Sequence, residues 1–70
     1  MTYEELIAHI IATRKEKSIG PVEFAKQVQI SRTHLFHIET LQKTTSDETL
    51  LRMCQILDIN LTIIPKKYII

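Results

Sequence analysis

Residues 21–39 read Pro21-Val22-Glu23-Phe24-Ala25-Lys26-Gln27-Val28-Gln29-Ile30-Ser31-Arg32-Thr33-His34-Leu35-Phe36-His37-Ile38-Glu39, and the fold is decided in this stretch. Pro21 follows Gly20 directly and suits the first position of a helix, where its missing N–H is not needed and its fixed φ is already helical. Phe24, Ala25 and Val28 then fall on one side and Glu23, Lys26 and Gln27 on the other, which predicts a short amphipathic helix. Gln29 and Ile30 interrupt it. Ser31 is a good N-cap for a second short helix that carries Leu35 and Ile38 inward.

Two short helices joined by a tight turn have the spacing of a helix-turn-helix. Small Ala25 lets the second helix approach the first, Ile30 plugs the turn, and Leu35 with Ile38 fix the second helix so that its opposite face projects outward. An ordinary helical hairpin also needs a small residue at its crossing, so spacing alone leaves both readings open. The outward positions of the second helix are Arg32, Thr33, Phe36 and His37.

Working outward, Thr2-Tyr3-Glu4-Glu5 fits a capping box that starts a first helix. Its Leu6, Ile7, Ile10 and Ile11 share a face, Arg14 to Lys17 bring charge to the last turns, and Ser18-Ile19-Gly20 ends it. On the other side, Thr40 to Thr45 lacks an apolar period and reads as a loop. Thr45-Ser46-Asp47-Glu48 reads as a second capping box, opening a fourth helix with an apolar stripe of Leu50, Leu51, Cys54 and Leu57, flanked by Met53 and Ile56. That helix should run out near Asp58. Leu61-Thr62-Ile63-Ile64 is rich in β-branched residues and precedes Pro65, which predicts one strand stopped by the proline; Lys66 to Ile70 either extend it or form a loose tail.

The chain has 70 residues, one cysteine and a formal net charge of +1. A single core of this size is marginal without a disulfide, a metal or a second chain. Cys54 has no partner for an internal disulfide or a thiolate metal site, and its place on an apolar stripe reads as a small core residue. His34 and His37 lie three apart without a third ligand at readable spacing, so no metal is expected. No nucleophile, base and orienting group are assembled, so no catalytic residues, cofactor or enzyme activity are expected. Met1 is followed by Glu4 and Glu5 rather than by a signal peptide, and no run approaches a membrane span. A protein of the reducing cytoplasm, without a membrane partner, is the expectation. The near-neutral charge means that any nucleic-acid face must come from local clustering.

From Pro21 to Glu39, and in outline along nearly its whole length, the chain resembles the Xre, Cro and C1 repressor family. The resemblance implies an all-α, lambda-repressor-like helix-turn-helix bundle of four helices. It implies an ion pair between Arg14, late in the first helix, and Glu39, closing the recognition helix. It also places base contacts at Arg32, Thr33, Phe36 and His37. Arg32, near the helix N-terminus, suits guanine O6 and N7, and exposed Phe36 suits a thymine methyl. Phosphate contacts are expected from Lys17, Ser31, Lys43, Thr44 and the start of the second helix. The bland readings are a solvated Arg32 and a Phe36 packed under the fourth helix. Two positions depart from the family: Gln29 stands where glycine is usual in the turn, and Pro21 where a glutamine commonly contacts phosphate.

Leu50 to Ile64 is similar to the HipB type of antitoxin, in which the fourth helix runs directly into one C-terminal strand. Residues 1–60 are thus expected to form the DNA-binding domain and 61–70 a dimerisation strand and tail. Leu61, Thr62, Ile63 and Ile64 would pair antiparallel with the same segment of a second chain, because a lone strand leaves its backbone groups unpaired; folding back on its own helices is the alternative. The expected function is a homodimeric, nucleoid-associated repressor of double-stranded operator DNA, serving as the antitoxin of a HipBA-like or HipBST-like operon that autoregulates its promoter. The alternatives are a module that neutralises a HipA-like or HipT-like toxin kinase by contact, or a stand-alone phage-type repressor.

Overall fold

The computed structural model describes residues 2–59, which form four helices: α1 (Tyr3–Glu16), α2 (Pro21–Val28), α3 (Arg32–Glu39) and α4 (Asp47–Ile56). No strand occurs among the described residues. The strand expected at Leu61, Thr62, Ile63 and Ile64 and the tail after it lie outside them.

Each helix start follows from its neighbouring residues. At α1 the Thr2 hydroxyl accepts from the Glu5 N–H at 3.1 Å, while Glu5 Oε1 accepts from the Thr2 N–H at 2.9 Å, a complete capping box. The Thr2 backbone N–H, and after it the Thr2 side chain, holds the Glu5 carboxyl below its ordinary value. Gly20 precedes α2 without a side-chain cap, and Pro21 takes the first position. Ser31 caps α3, its hydroxyl accepting from the His34 N–H at 3.0 Å.

The start of α4 differs from the expected box. Its cap is Ser46, one residue later than Thr45, and the Ser46 hydroxyl accepts from the Thr49 N–H at 3.2 Å and donates to Thr49 Oγ1 at 3.0 Å. Thr49 rather than Glu48 therefore occupies the third helical position. Asp47 and Glu48 fall in the first turn, where they face the positive end of the helix. Glu48 then reaches one turn ahead to Arg52 Nη2 at 3.2 Å.

The helix ends share one device. Ser18, Gln29, Leu41 and Asp58 all have left-handed φ, between 58° and 66°, and at each the chain closes the paired bonds of a Schellman motif. For α2 these are Gln29 N–H to the Lys26 carbonyl at 3.1 Å and Ile30 N–H to the Ala25 carbonyl at 3.0 Å. The same pair recurs after α1 (Ser18 to Lys15, Ile19 to Arg14), α3 (Leu41 to Ile38, Gln42 to His37) and α4 (Asp58 to Gln55, Ile59 to Cys54). None of the four left-handed residues is glycine. In three of the four motifs the next residue is an isoleucine that turns onto the core: Ile19 and Ile30 pack against it and Ile59 is buried in it.

The core takes Leu6, Ile7 and Ile10 from α1, Phe24, Ala25 and Val28 from α2, Leu35 and Ile38 from α3, and Leu50, Met53, Cys54 and Leu57 from α4 and its end. Ala25 at the centre of α2 leaves room for α3 to cross closely, and α2 also packs against α4 while α1 packs against α3. On α4 the stripe is rotated from the expected one: Met53 is fully buried and Leu51 only half-buried. The helix presents Leu50, Met53, Cys54 and Leu57 at i, i+3, i+4 and i+7, the spacing of one helical face. Enclosed there, the Cys54 thiol is pushed up to about 11 by desolvation, which keeps it a neutral packing group.

Candidate nucleic-acid interface

Leu35 and Ile38 anchor α3 in the core, and the opposite face of that helix is left open. Arg32 and Thr33 are exposed, and Phe36 is 57% exposed despite its size. Phe36 does not pack under α4. Arg32, Thr33 and Phe36 together line a shallow surface depression. His37 stands at its edge, half-buried, with its ring tilted 59° to that of Phe36 at a centroid distance of 6.1 Å, within the range of an edge-on aromatic contact. His34, on the flank of the helix, is also half-buried. Among the described residues no three side chains of the metal-binding types converge.

This face carries positive charge and no exposed acid of its own. The one acidic residue of α3, Glu39, is turned away into an ion pair: Arg14 Nε donates to Glu39 Oε2 at 3.0 Å and Arg14 Nη2 to Oε1 at 3.2 Å. A bidentate pair of this kind both neutralises the carboxylate and fixes its orientation.

The residues considered for phosphate flank the helix. Ser31 lies at its start, exposed, with its hydroxyl oxygen already accepting from the His34 N–H and its own proton available to donate. Lys43 and Thr44 follow its end, both exposed, and the Lys43 N–H bonds back to the His37 carbonyl at 3.2 Å. Lys17 is exposed at the C-cap of α1, one turn beyond Arg14. Because Arg14 reaches Glu39, the end of α1 and the end of α3 belong to the same side of the molecule. At the start of α2, Pro21 has no N–H and the Phe24 N–H bonds to the Gly20 carbonyl at 2.9 Å, leaving Val22 and Glu23 as the outward backbone donors.

One positioning residue has no specific signature in the local sequence. Arg52 of α4 donates from Nη1 to the Val28 carbonyl at 2.8 Å, holding the end of α2 where the turn to α3 begins. The only trace of it in the sequence is the Glu48–Arg52 spacing of one turn, which most surface helices also show.

A core-anchored helix, joined by a fixed turn to a supporting helix and presenting an acid-free outer face, defines a helix-turn-helix module. A family model described as helix-turn-helix matches residues 10–64. This covers well over half of the chain, and the chain belongs to the helix-turn-helix family. Domains of this family are regulatory, binding DNA in a sequence-specific way, and are not catalytic. Comparison with curated proteins and with solved structures gives no match. No helix among the described residues is long and apolar enough to cross a membrane.

Proposed function

We propose that this chain is a transcriptional repressor that binds a pseudo-palindromic operator as a homodimer, inserting α3 of each copy into successive major grooves about 34 Å apart. The observation that carries the reading is the outer face of α3, where Arg32, Thr33 and Phe36 are exposed together while the only acid of the helix is paired with Arg14. In this assignment Arg32, Thr33, Phe36 and His37 read bases, and Lys17, Ser31, Lys43 and Thr44 hold phosphates. The expected contacts sort into these two kinds because phosphates fix register while base edges carry sequence.

Dimerisation is assigned to Leu61, Thr62, Ile63 and Ile64 of the segment 61–70, paired with their copy across a twofold axis. Isologous pairing of one strand would relate two recognition helices by the symmetry of a palindrome. The resemblance of Leu50 to Ile64 to the HipB type of antitoxin implies a second role in the cytoplasm, contacting a toxin kinase and repressing the shared operon.

The test is a gel shift with the DNA upstream of the chain's own gene, in low salt. A retarded complex that weakens steeply as salt rises is expected. Unchanged mobility in low salt would exclude the repressor, because non-specific phosphate attraction alone should retard the DNA there. Truncation after Asn60, followed by sedimentation, tests the dimer: the truncated chain is expected to be monomeric, and an undiminished dimer would exclude the strand as its cause.

A further inference from the structure

The turn after α3 differs from the other three helix ends in a way that the fold does not explain. Ser18, Gln29 and Asp58 are polar, and after each of them an isoleucine docks on the core. At the fourth end the left-handed residue is Leu41, with φ 63°, and it is 49% exposed. The residue after it is Gln42, also exposed. We propose that the Leu41 side chain packs against the deoxyribose C–H groups of a DNA strand, adding affinity that depends neither on base sequence nor on salt. The inference rests on the operator-binding reading and adds to it an apolar backbone contact from outside α3.

A leucine at left-handed φ is less stable than glycine or asparagine would be there. Such a conformation persists where the surroundings impose it, and residues held in this way cluster at binding sites. Here the surroundings are a fixed turn. The N–H groups of Gln42 and Lys43 both donate to the His37 carbonyl, at 2.9 and 3.2 Å. The Thr40 hydroxyl donates to the Phe36 carbonyl at 2.7 Å and accepts from Gln42 Nε2 at 3.0 Å. The apolar contact that often closes a Schellman motif would come from residue 42, and Gln42 is polar. The turn therefore presents a half-exposed, strained leucine for which its own motif gives no use. Its neighbours point to the partner. Residues 40–44 are all exposed, positions 40–46 contain Lys43 and no acid, and Glu39 is neutralised by Arg14. Apolar surface beside a cation fits a partner that alternates apolar and anionic groups. The DNA backbone does so, with a deoxyribose between each pair of phosphates. Lys43 meets a phosphate and Leu41 the adjoining sugar, a contact that fixes the protein on the strand without reading bases.

The full chain is titrated, at several salt concentrations, onto a duplex from upstream of its own gene and onto a scrambled duplex. Leu41→Asn keeps a residue that tolerates left-handed φ and removes the apolar surface. It should bind both duplexes about fivefold more weakly per half-site, the value of burying half a leucine side chain. The salt slope should not change, because an apolar contact releases no counterions. Leu41→Met keeps the apolar reach and should bind almost as the native chain does. Leu41→Gly relieves the strained φ, so it should melt no lower than the native chain while binding DNA as weakly as Leu41→Asn. Thermal midpoints check that all three variants fold.

Asparagine and methionine variants that weaken binding equally would make the shape of the turn responsible, and asparagine and glycine variants that bind normally would leave Leu41 without a DNA contact. Either result overturns the proposal while operator binding stands. A loss confined to the specific duplex, or one with an altered salt slope, also overturns it, by moving Leu41 to base readout or to the phosphates. So does normal DNA binding with a free dimer that dissociates in sedimentation, which would assign the leucine to a second copy of the chain. Failure of the native chain to bind either duplex in low salt overturns the operator-binding reading and the sugar contact together.

Discussion

Arg14 and Glu39 lie 25 residues apart in sequence and meet through two parallel hydrogen bonds of 3.0 and 3.2 Å, while the remaining Arg14 terminal nitrogen, Nη1, donates to the Ile19 carbonyl at 2.9 Å. One guanidinium thus ties together the body of α1, the turn that ends it and the last residue of α3. Both side chains are largely buried. Arg14→Ala would strand the Glu39 carboxylate among apolar neighbours and should cost about 3 kcal/mol, read as a lower urea midpoint. Arg14→Lys should recover only part of this, because an ammonium group does not reproduce the planar fork. An unchanged midpoint for the alanine variant would contradict the structural role.

Gln29 holds φ 66° and ψ 42° at the turn of the helix-turn-helix. A side chain in this region costs about 1 kcal/mol or more relative to glycine. Gln29→Gly should therefore stabilise the domain by up to about 1 kcal/mol, partly offset by the greater freedom of glycine in the unfolded chain. Gln29→Ile should destabilise it, since a β-branched residue fits left-handed φ worst. Thermal midpoints of the two variants should move in opposite directions.

Arg52 makes one bond to the Val28 carbonyl and one to Glu48, and the two are not equal. The carbonyl bond is partly buried and comes from a charged donor; the ion pair is on the surface, with Glu48 largely exposed. Arg52→Met keeps most of the stem and should cost about 1–2 kcal/mol, whereas Glu48→Gln should cost less than about 0.5 kcal/mol. Equal losses in urea would mean that the ion pair, and not the hold on the turn, is the main contribution.

Glu5 gives the fold a pH dependence at its first cap. Its folded carboxyl is held below 4.5 by the Thr2 backbone N–H and hydroxyl, so the carboxylate form is the one that the folded state favours. Its contribution is fully present above that ordinary value and is lost as pH falls through the lower folded value. The stability advantage of the native chain over Glu5→Gln should be constant from neutral pH down to about 5 and narrow below 4.5. Urea titrations of both proteins at several pH values measure it, and an advantage that grows on acidification would reverse the sign.

Arg32 and Lys43 should separate on DNA. Arg32→Ala should lose preference for a specific over a scrambled duplex, while Lys43→Ala should weaken binding to both and lower the salt slope by about one. Titrations at several salt concentrations distinguish them. Equal loss on both duplexes for Arg32→Ala would remove it from base readout.

What the sequence determined by itself was whatever depends on residues three or four apart. The Thr2–Glu5 box, the Ser31 cap, Pro21 at the start of α2 and the apolar sides of α2 and α3 are all set by contacts within one turn, and each is legible from spacing. Local signals were ambiguous where two caps were adjacent: Thr45 and Ser46 both qualify, and Ser46, with Thr49 as its partner, is the one used. The ends at Ser18, Leu41 and Asp58 were not legible as left-handed turns, because they lack the usual glycine, and the turn at Gln29 was marked only by the family resemblance, which has glycine there. At three of the four the strain is offset by docking Ile19, Ile30 or Ile59 on a core that exists only once all four helices are packed. Arg52 was invisible for a related reason. Its acceptor is a main-chain carbonyl 24 residues away, and every residue has a carbonyl, so no residue type marks the partner. Arg14 and Glu39 were linked by family resemblance and not by spacing, since their contact depends on how α1 lies across α3. The outward positions of α3 were legible, but tertiary packing decided how open each one is: Phe36, which could have packed under α4, stays exposed beside Arg32 and Thr33, while His37 is half-buried, because these exposures depend on where the other helices end.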